Sequence, residues 1–271
     1  MKTFYFLAGL PRSGNTLLSA LLNQNPNIYS SPLSPLCQYF YQLDSLLETF
    51  EHNKRTLLPE RNFSVTANLL SNFYFDVDKP IVFDREKSWG TPANLKIIKK
   101  HITQTPKIIF TNRDLLEILA SFISILPEDS YLDKEMFNSG WYYKDYLSKN
   151  DNRVEYLMRP FGEIDKTLLS FNEIKKEENK NIFHIVDYNK LVSNPDVVFK
   201  KLYDFLELDY FQHSYDSIVK NEVDYDESLG YPDNLHKIKT KLEKTSNKPE
   251  DLLSDYIIQK YKNYNLLDLT R

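Results

Sequence analysis

Between Leu7 and Leu18 the chain reads Leu-Ala-Gly-Leu-Pro-Arg-Ser-Gly-Asn-Thr-Leu-Leu, and no other segment constrains the fold as much. An apolar run at residues 3–7 leads into it, and an apolar stretch at residues 16–24, stopped by Pro26, leads out. Gly9 and Gly14 bound the turn between, so the pattern is strand, glycine-framed loop, helix. Such a loop points backbone N–H groups at an anion, and the helix start adds its positive end. The spacing Gly9, four residues, Gly14-Asn15-Thr16 fits the frame of a nucleotide-phosphate loop, except that asparagine stands where the lysine belongs. Without that lysine the cation that reaches the β- and γ-phosphates is missing. Arg12 offers a charge from earlier in the turn, so the expected ligand is a phosphate compound other than ATP.

Three more apolar runs, at residues 81–83, 107–111 and 182–186, have the short, Ile-, Val- and Phe-rich character of buried parallel strands. Helices are predicted over residues 115–125, stopped by Pro127, and 195–206, opened by Ser193-Asn194-Pro195. This alternation predicts an α/β fold: a three-layer, P-loop-type parallel sheet flanked by helices. Residues 128–171 carry no strand pattern but many aromatics, and read as a helical insertion over the sheet. Residues 175–181 read as a solvated charged loop, and 209–231 as a stretch without regular elements. The 271 residues show no composition break, so 1–271 is taken as one domain.

A net charge of −4 supplies no global field for nucleic acid or an anionic bilayer, so a bound anion needs a local site. No nucleic-acid partner and no membrane insertion are expected. The apolar run at the N-terminus stops at Gly9, short of the roughly 7–15 apolar residues of a secretory signal, and reads as a first strand. Cys37, the single cysteine, cannot form an intrachain disulfide or a thiolate metal cluster. The expected setting is the cytoplasm.

The segment Pro11-Arg12-Ser13-Gly14-Asn15-Thr16-Leu17-Leu18, with Leu22 and Asn25-Pro26-Asn27 after it, resembles the 5′-phosphosulfate loop of sulfotransferases that use 3′-phosphoadenosine 5′-phosphosulfate (PAPS). Its core is most similar to that of tyrosylprotein sulfotransferases and their bacterial relatives. The resemblance implies that Pro11, Arg12, Ser13, Gly14, Asn15, Thr16 and Leu17 bind the donor. A second match is residues 108–114, ending in Arg113, with Ser121 eight residues further on. In the family an arginine at a strand end and a serine on the following helix hold the 3′-phosphate, a forked guanidinium contact being suited to that group. A third is Tyr188 in Asp187-Tyr188-Asn189-Lys190-Leu191, which implies a place near the nucleotide. The basic C-terminal stretch adds Ser246 and Lys248 as candidate donor contacts; a solvated basic helix accounts for the same residues.

The implied reaction moves a sulfuryl group from PAPS to a hydroxyl or amine of a carbohydrate, lipid, small molecule or peptide, releasing 3′-phosphoadenosine 5′-phosphate (PAP). In such an in-line displacement fixed cations can stabilise the developing charge without an obligatory metal. The candidates are Arg12, Arg85 and Lys87; arginine at 85 occupies the place of the family's lysine, and Lys87 lies two residues on. Residues 31–33, Ser-Pro-Leu, lack the glutamate of the tyrosylprotein enzymes, which points away from protein tyrosine. Asp44, Glu48, His52 and Glu86 are possible bases, and His101, His184, His213 and His236 are unassigned. Two other readings stay open. Residues 81–84 could be a Walker B strand whose Asp84 holds magnesium in a kinase or NTPase, or the chain could bind a nucleotide without catalysis.

Overall fold

Five strands, β1 (Thr3–Gly9), β2 (Ile28–Leu33), β3 (Ile81–Arg85), β4 (Ile108–Asn112) and β5 (Phe183–Asp187), form one sheet in the order β2-β3-β1-β4-β5. Every neighbouring pair is parallel. The structure is a computed structural model that describes residues 2–49, 59–141, 143–219, 237–244 and 248–264.

Side chains alternate across β1, and this splits the apolar residues into two cores. Phe6 and Ala8 join Val82, Ile108 and Phe110 on one face, under the Pro92–His101 and Leu115–Ile123 helices. Tyr5 and Leu7 join Phe83, Ile109 and Val186 on the other, under the Asn15–Leu22 and Pro195–Leu206 helices. The sheet is therefore the middle of three layers, and strands buried on both faces read as continuous apolar runs. Phe6 is fully buried and meets Trp89 edge-on at 5.0 Å, so truncating it to alanine removes roughly 3–5 kcal/mol.

After β1 the chain turns first to β2 and β3 on one side and only later fills β4 and β5 on the other. The strand order thus reverses at the C-terminal end of β1, where parallel α/β sheets leave a crevice. The loop after β1 opens there.

The predicted strands are present, the first and second running two residues further and the other two shifted on by one, and β2 is an addition. Its Pro32 hides it in the sequence, but an edge strand tolerates a proline, and the pairing with β3 shifts between Ser30 and Leu33. Helices at Leu36–Thr49, Pro59–Phe73 and Pro92–His101 were also not predicted. The insertion is helical as expected, with Tyr131–Asn138, Lys149–Leu157, Asp165–Leu168 and Ser170–Ile174. Residues 175–181 depart from a solvated loop: Glu177–Asn179 is a 3-10 turn, and Asn179 is fully buried with Nδ2 donating to the Glu173 carbonyl at 3.0 Å. Residues 209–219 lack helix and strand, as read, and 220–231 lie outside the described residues.

Candidate functional site

The loop after β1 is bent by three residues in the left-handed region, Gly9 (φ 147°), Arg12 (φ 59°) and Gly14 (φ 96°). Two of these demand glycine for space as well. A Cβ on Gly9 would stand 2.2 Å from Thr111 Oγ1, and one on Gly14 would stand 2.8 Å from Tyr188 Cδ2. Gly14 is the N-cap of the Asn15–Leu22 helix and offers no side chain to its free N–H groups. Those donors are left for an anion.

Neighbouring strands brace the loop. Gly9 N donates to the Lys87 carbonyl at 3.2 Å and Leu10 N to the Thr111 carbonyl at 3.1 Å. Ser13 is buried, with Oγ bonded to the Leu10 and Thr111 carbonyls and 2.6 Å from Thr111 Oγ1. Its hydroxyl holds the loop to β4, and Ser13 is not part of the cavity wall. Asn15 Nδ2 donates to the Leu10 carbonyl at 3.1 Å, so the residue in the lysine's place closes the loop on itself.

Beside the loop lies a cavity of about 490 Å³. Pro11, Arg12, Gly14, Asn15, Thr16 and Leu17 line it, with Arg85, Lys87, Arg113, Ser121 and Tyr188. Arg85, at the end of β3, is buried and its Nη1 donates to Thr16 Oγ1 at 3.0 Å. Lys87 lies in the turn after β3 rather than in an extended segment, yet reaches the same cavity. Its Nζ donates to Glu163 Oε1. Burial, and then nearby Lys166, push the Lys87 amine down to about 8. Arg12 Nε donates to Ser121 Oγ at 3.2 Å. Burial and the adjacent positive Arg113 lower the Arg12 pKa.

Arg113 Nη1 donates to the Arg12 carbonyl at 3.3 Å, and its guanidinium lies over the Tyr188 ring at 4.3 Å. Arg113 Nε also donates to Glu117 Oε2 at 2.8 Å, so the arginine has a carboxylate partner one helical turn on as well as a place in the cavity wall. Asp114 caps the same helix by accepting from Glu117 N at 3.1 Å.

The far wall of the cavity was not legible in advance. Leu33, Tyr131, Leu132, Leu157 and Phe161 give it apolar surface, and Arg159, Glu163 and Lys166 give it charge. Lys237, Lys239 and Lys241 close it from the C-terminal side. Their spacing of two, one face of an extended segment, was the available signal for these three. Residues 237–244 are irregular, not a solvated helix, and run beside 215–218 through Ile218 N to the Thr240 carbonyl at 2.7 Å. Lys248 precedes the Pro249–Leu252 helix and is not part of the cavity wall. Ser246 lies outside the described residues.

The other acid and base candidates are engaged elsewhere. Asp44 pairs with Lys100 at 2.7 Å and His101 at 2.6 Å, and Glu86 accepts from Ser88 N at 2.6 Å. His184 stacks on Phe205, the His213 ring packs tilted against Phe199, and burial pushes each imidazole down to about 4. For Glu48 no side-chain position is described, and His52 and His236 lie outside the described residues. Asp84 removes the Walker B reading. It is fully buried, with one oxygen accepting from Trp89 Nε1 at 2.7 Å and the other from Tyr74 Oη at 2.5 Å, so it does not face the loop. Among the described residues no group of three His, Cys, Asp or Glu side chains is arranged to hold a metal ion.

A family model described as the sulfotransferase family matches residues 5–212, which takes in most of β1, all of β2 to β5, the loop and the insertion. The chain belongs to the sulfotransferase family. It is accordingly an enzyme of PAPS-dependent sulfuryl transfer. Among solved structures this sulfotransferase is similar to the sulfotransferase domain of the Synechococcus PCC 7002 olefin synthase, with a TM-score of 0.52 and 17% identity over 88% of this chain and 84% of that one. It is also similar to the sulfotransferase domain from the curacin biosynthetic pathway, with a TM-score of 0.54 and 16% identity over 96% of this chain and 97% of that one. At such identities the likeness shows the fold alone. A comparison with curated protein sequences finds no match.

Proposed function

We propose that the cavity holds PAPS across the C-terminal end of β1, and that the sulfuryl group passes to an acceptor hydroxyl or amine lying against the wall of Leu33, Tyr131, Leu132, Leu157 and Phe161. The observation that carries this reading is the convergence of Arg12, Arg85, Lys87 and Arg113 on one cavity beside an uncapped helix start, in a chain of net charge −4. A strongly anionic ligand suits that arrangement.

The N–H groups at the start of the Asn15–Leu22 helix, with Arg12 and Thr16, take the 5′-phosphosulfate. Arg113 and Ser121 take the 3′-phosphate, and Tyr188, already stacked under Arg113, borders the nucleotide. Pro11, Ser13, Asn15 and Leu17 serve by shaping the loop, through the bonds of Ser13 and Asn15 above all. In the transfer the acceptor atom forms a bond to sulfur while the bond from sulfur to the bridging oxygen breaks, and the electron pair ends on the 5′-phosphate of PAP. Arg85, at the end of β3, and Lys87, in the turn after it, line the cavity beside this leaving group and stabilise its growing charge. Neither needs to move a proton to do so.

No helix among the described residues is long and apolar enough to cross a membrane. The lone Cys37 is buried, and burial raises its thiol well above the usual range, so it stays an unreactive thiol, in keeping with a cytoplasmic enzyme. The test is an array of alcohols, amines, sugars and peptides incubated with sulfur-labelled PAPS. Label transferred to a hydroxyl or amine, and lost in Arg12→Ala, supports the reading; PAP binding without transfer to any class contradicts it.

A further inference from the structure

Three carboxylates line the cavity among the described residues, Glu135, Glu163 and Glu243. Glu243 pairs with Lys239 at 3.0 Å, both side chains more than half exposed, and Glu135 is exposed. Glu163 is different. One of its oxygens accepts from Lys87 Nζ, and the other stands 3.1 Å from Lys166 Nζ.

The backbone around Glu163 is held independently of that contact. Phe161 adopts φ 58°, and its N donates to Asp165 Oδ2 at 2.9 Å. Gly162 leaves no space for a side chain, since a Cβ would stand 2.6 Å from the Leu157 carbonyl. Ile164 is fully buried, and its N donates to the Leu157 carbonyl at 3.2 Å. Glu163 thus sits between a crowded glycine and an anchored isoleucine. On the other side, the Lys87 carbonyl accepts from Gly9 N, which ties the lysine to the first bend of the donor loop. The Lys87–Glu163 pair is a bridge from that loop to the acceptor wall.

We infer that Glu163 is the proton acceptor for the attacking group and that donor arrival releases it, an assignment that rests on the donor site proposed above. As the phosphosulfate enters, Lys87 exchanges Glu163 for the donor's anionic oxygens. The freed carboxylate then takes the proton of the acceptor O–H. The acceptor oxygen bonds to sulfur, the sulfur bond to the bridging oxygen breaks, and the electron pair leaves on PAP, whose charge Lys87 meets. The proton later passes from Glu163 to solvent, so an alcohol and PAPS give a sulfate ester, PAP and a proton. Lys166 keeps the carboxylate in place while Lys87 is away. Without donor the base is masked by Lys87, so proton transfer waits on donor arrival.

The experiment compares the full chain with Glu163→Gln and Glu163→Asp. PAP affinity is read by calorimetry, and PAP release from PAPS is followed in single turnover, with water and with simple alcohols as acceptors. A base gives opposite signs in the two readouts. Glu163→Gln binds PAP about two- to fivefold more tightly, because Lys87 has lost its competing partner, yet releases PAP about 10²- to 10³-fold more slowly. Glu163→Asp recovers part of the rate. A Glu163→Gln rate within about threefold of the parent overturns the assignment, as does loss of PAP affinity in step with rate, the mark of a structural role. A parent that neither binds PAP nor releases it from PAPS overturns the donor reading beneath.

Discussion

Arg12 Nε, in the loop after β1, donates to Ser121 Oγ, on the Leu115–Ile123 helix, at 3.2 Å. The two residues proposed for opposite ends of the donor therefore touch, and the proposed 5′ and 3′ contacts form one continuous surface. Ser121→Ala removes a neutral partner that leaves Arg12 its charge, so the cost falls on the ligand. PAP affinity drops about tenfold, the size of one hydrogen bond to a charged group, while the melting temperature stays close to that of the parent. Calorimetric titration checks this, and an unchanged affinity counts against Ser121 as a phosphate contact.

Gly14→Ala acts by geometry. The residue is held at φ 96°, and the new Cβ would stand 2.8 Å from the Tyr188 ring. The ring or the loop must shift, and both belong to the cavity wall. PAP affinity falls at least about tenfold, and the strain costs about 1–3 kcal/mol of stability. Titration and denaturant unfolding measure the two effects; full affinity contradicts the role given to the loop backbone.

Lys87 gives donor binding a pH dependence. Its amine is held down to about 8 by burial and Lys166, so its positive charge is present below that pH and lost above it. A bound anion favours the charged form, which means that PAP binding takes up protons near pH 8 and weakens as pH rises through that value. Affinities from pH 7 to 9.5 should fall in the parent and fall less in Lys87→Gln. The same decline in both removes Lys87 from the site.

Acid sensitivity has a separate source. His184 and His213 are held neutral, with values near 4 against an ordinary 6.5. A group whose folded value is depressed stabilises the fold above its unfolded value, so this contribution is complete above about pH 6.5 and is lost as pH falls toward 4. His184→Phe keeps the stack on Phe205 and removes one titrating group. Its stability declines less between pH 6.5 and 4 than the parent's, as measured by urea unfolding; parallel curves refute the assignment.

The loop was legible because its chemistry is local: Gly9 and Gly14 announce left-handed backbone, and Arg12 and Thr16 follow at fixed spacing. Arg113 and Ser121 were legible as a strand end and a helix two turns on. The far wall was not, because Leu33, Phe161 and Glu163 reach the cavity through tertiary packing that no short spacing encodes. β2 escaped notice for a related reason: its identity comes from pairing with β3, and Pro32 contradicts the local pattern. Asp84 shows the converse. Its sequence context suits a magnesium ligand, but Trp89 and Tyr74 consume its oxygens inside the core, and only the fold reveals that.

The central claim is that one cavity recognises both phosphate ends of the donor, and titration of the parent with PAP and with ATP tests it most directly. PAP should bind at micromolar or better affinity and ATP at least about 100-fold more weakly, with Arg12→Ala and Arg113→Ala each reducing PAP affinity by more than about tenfold. Equal binding of PAP and ATP, or PAP binding indifferent to both arginines, would contradict it.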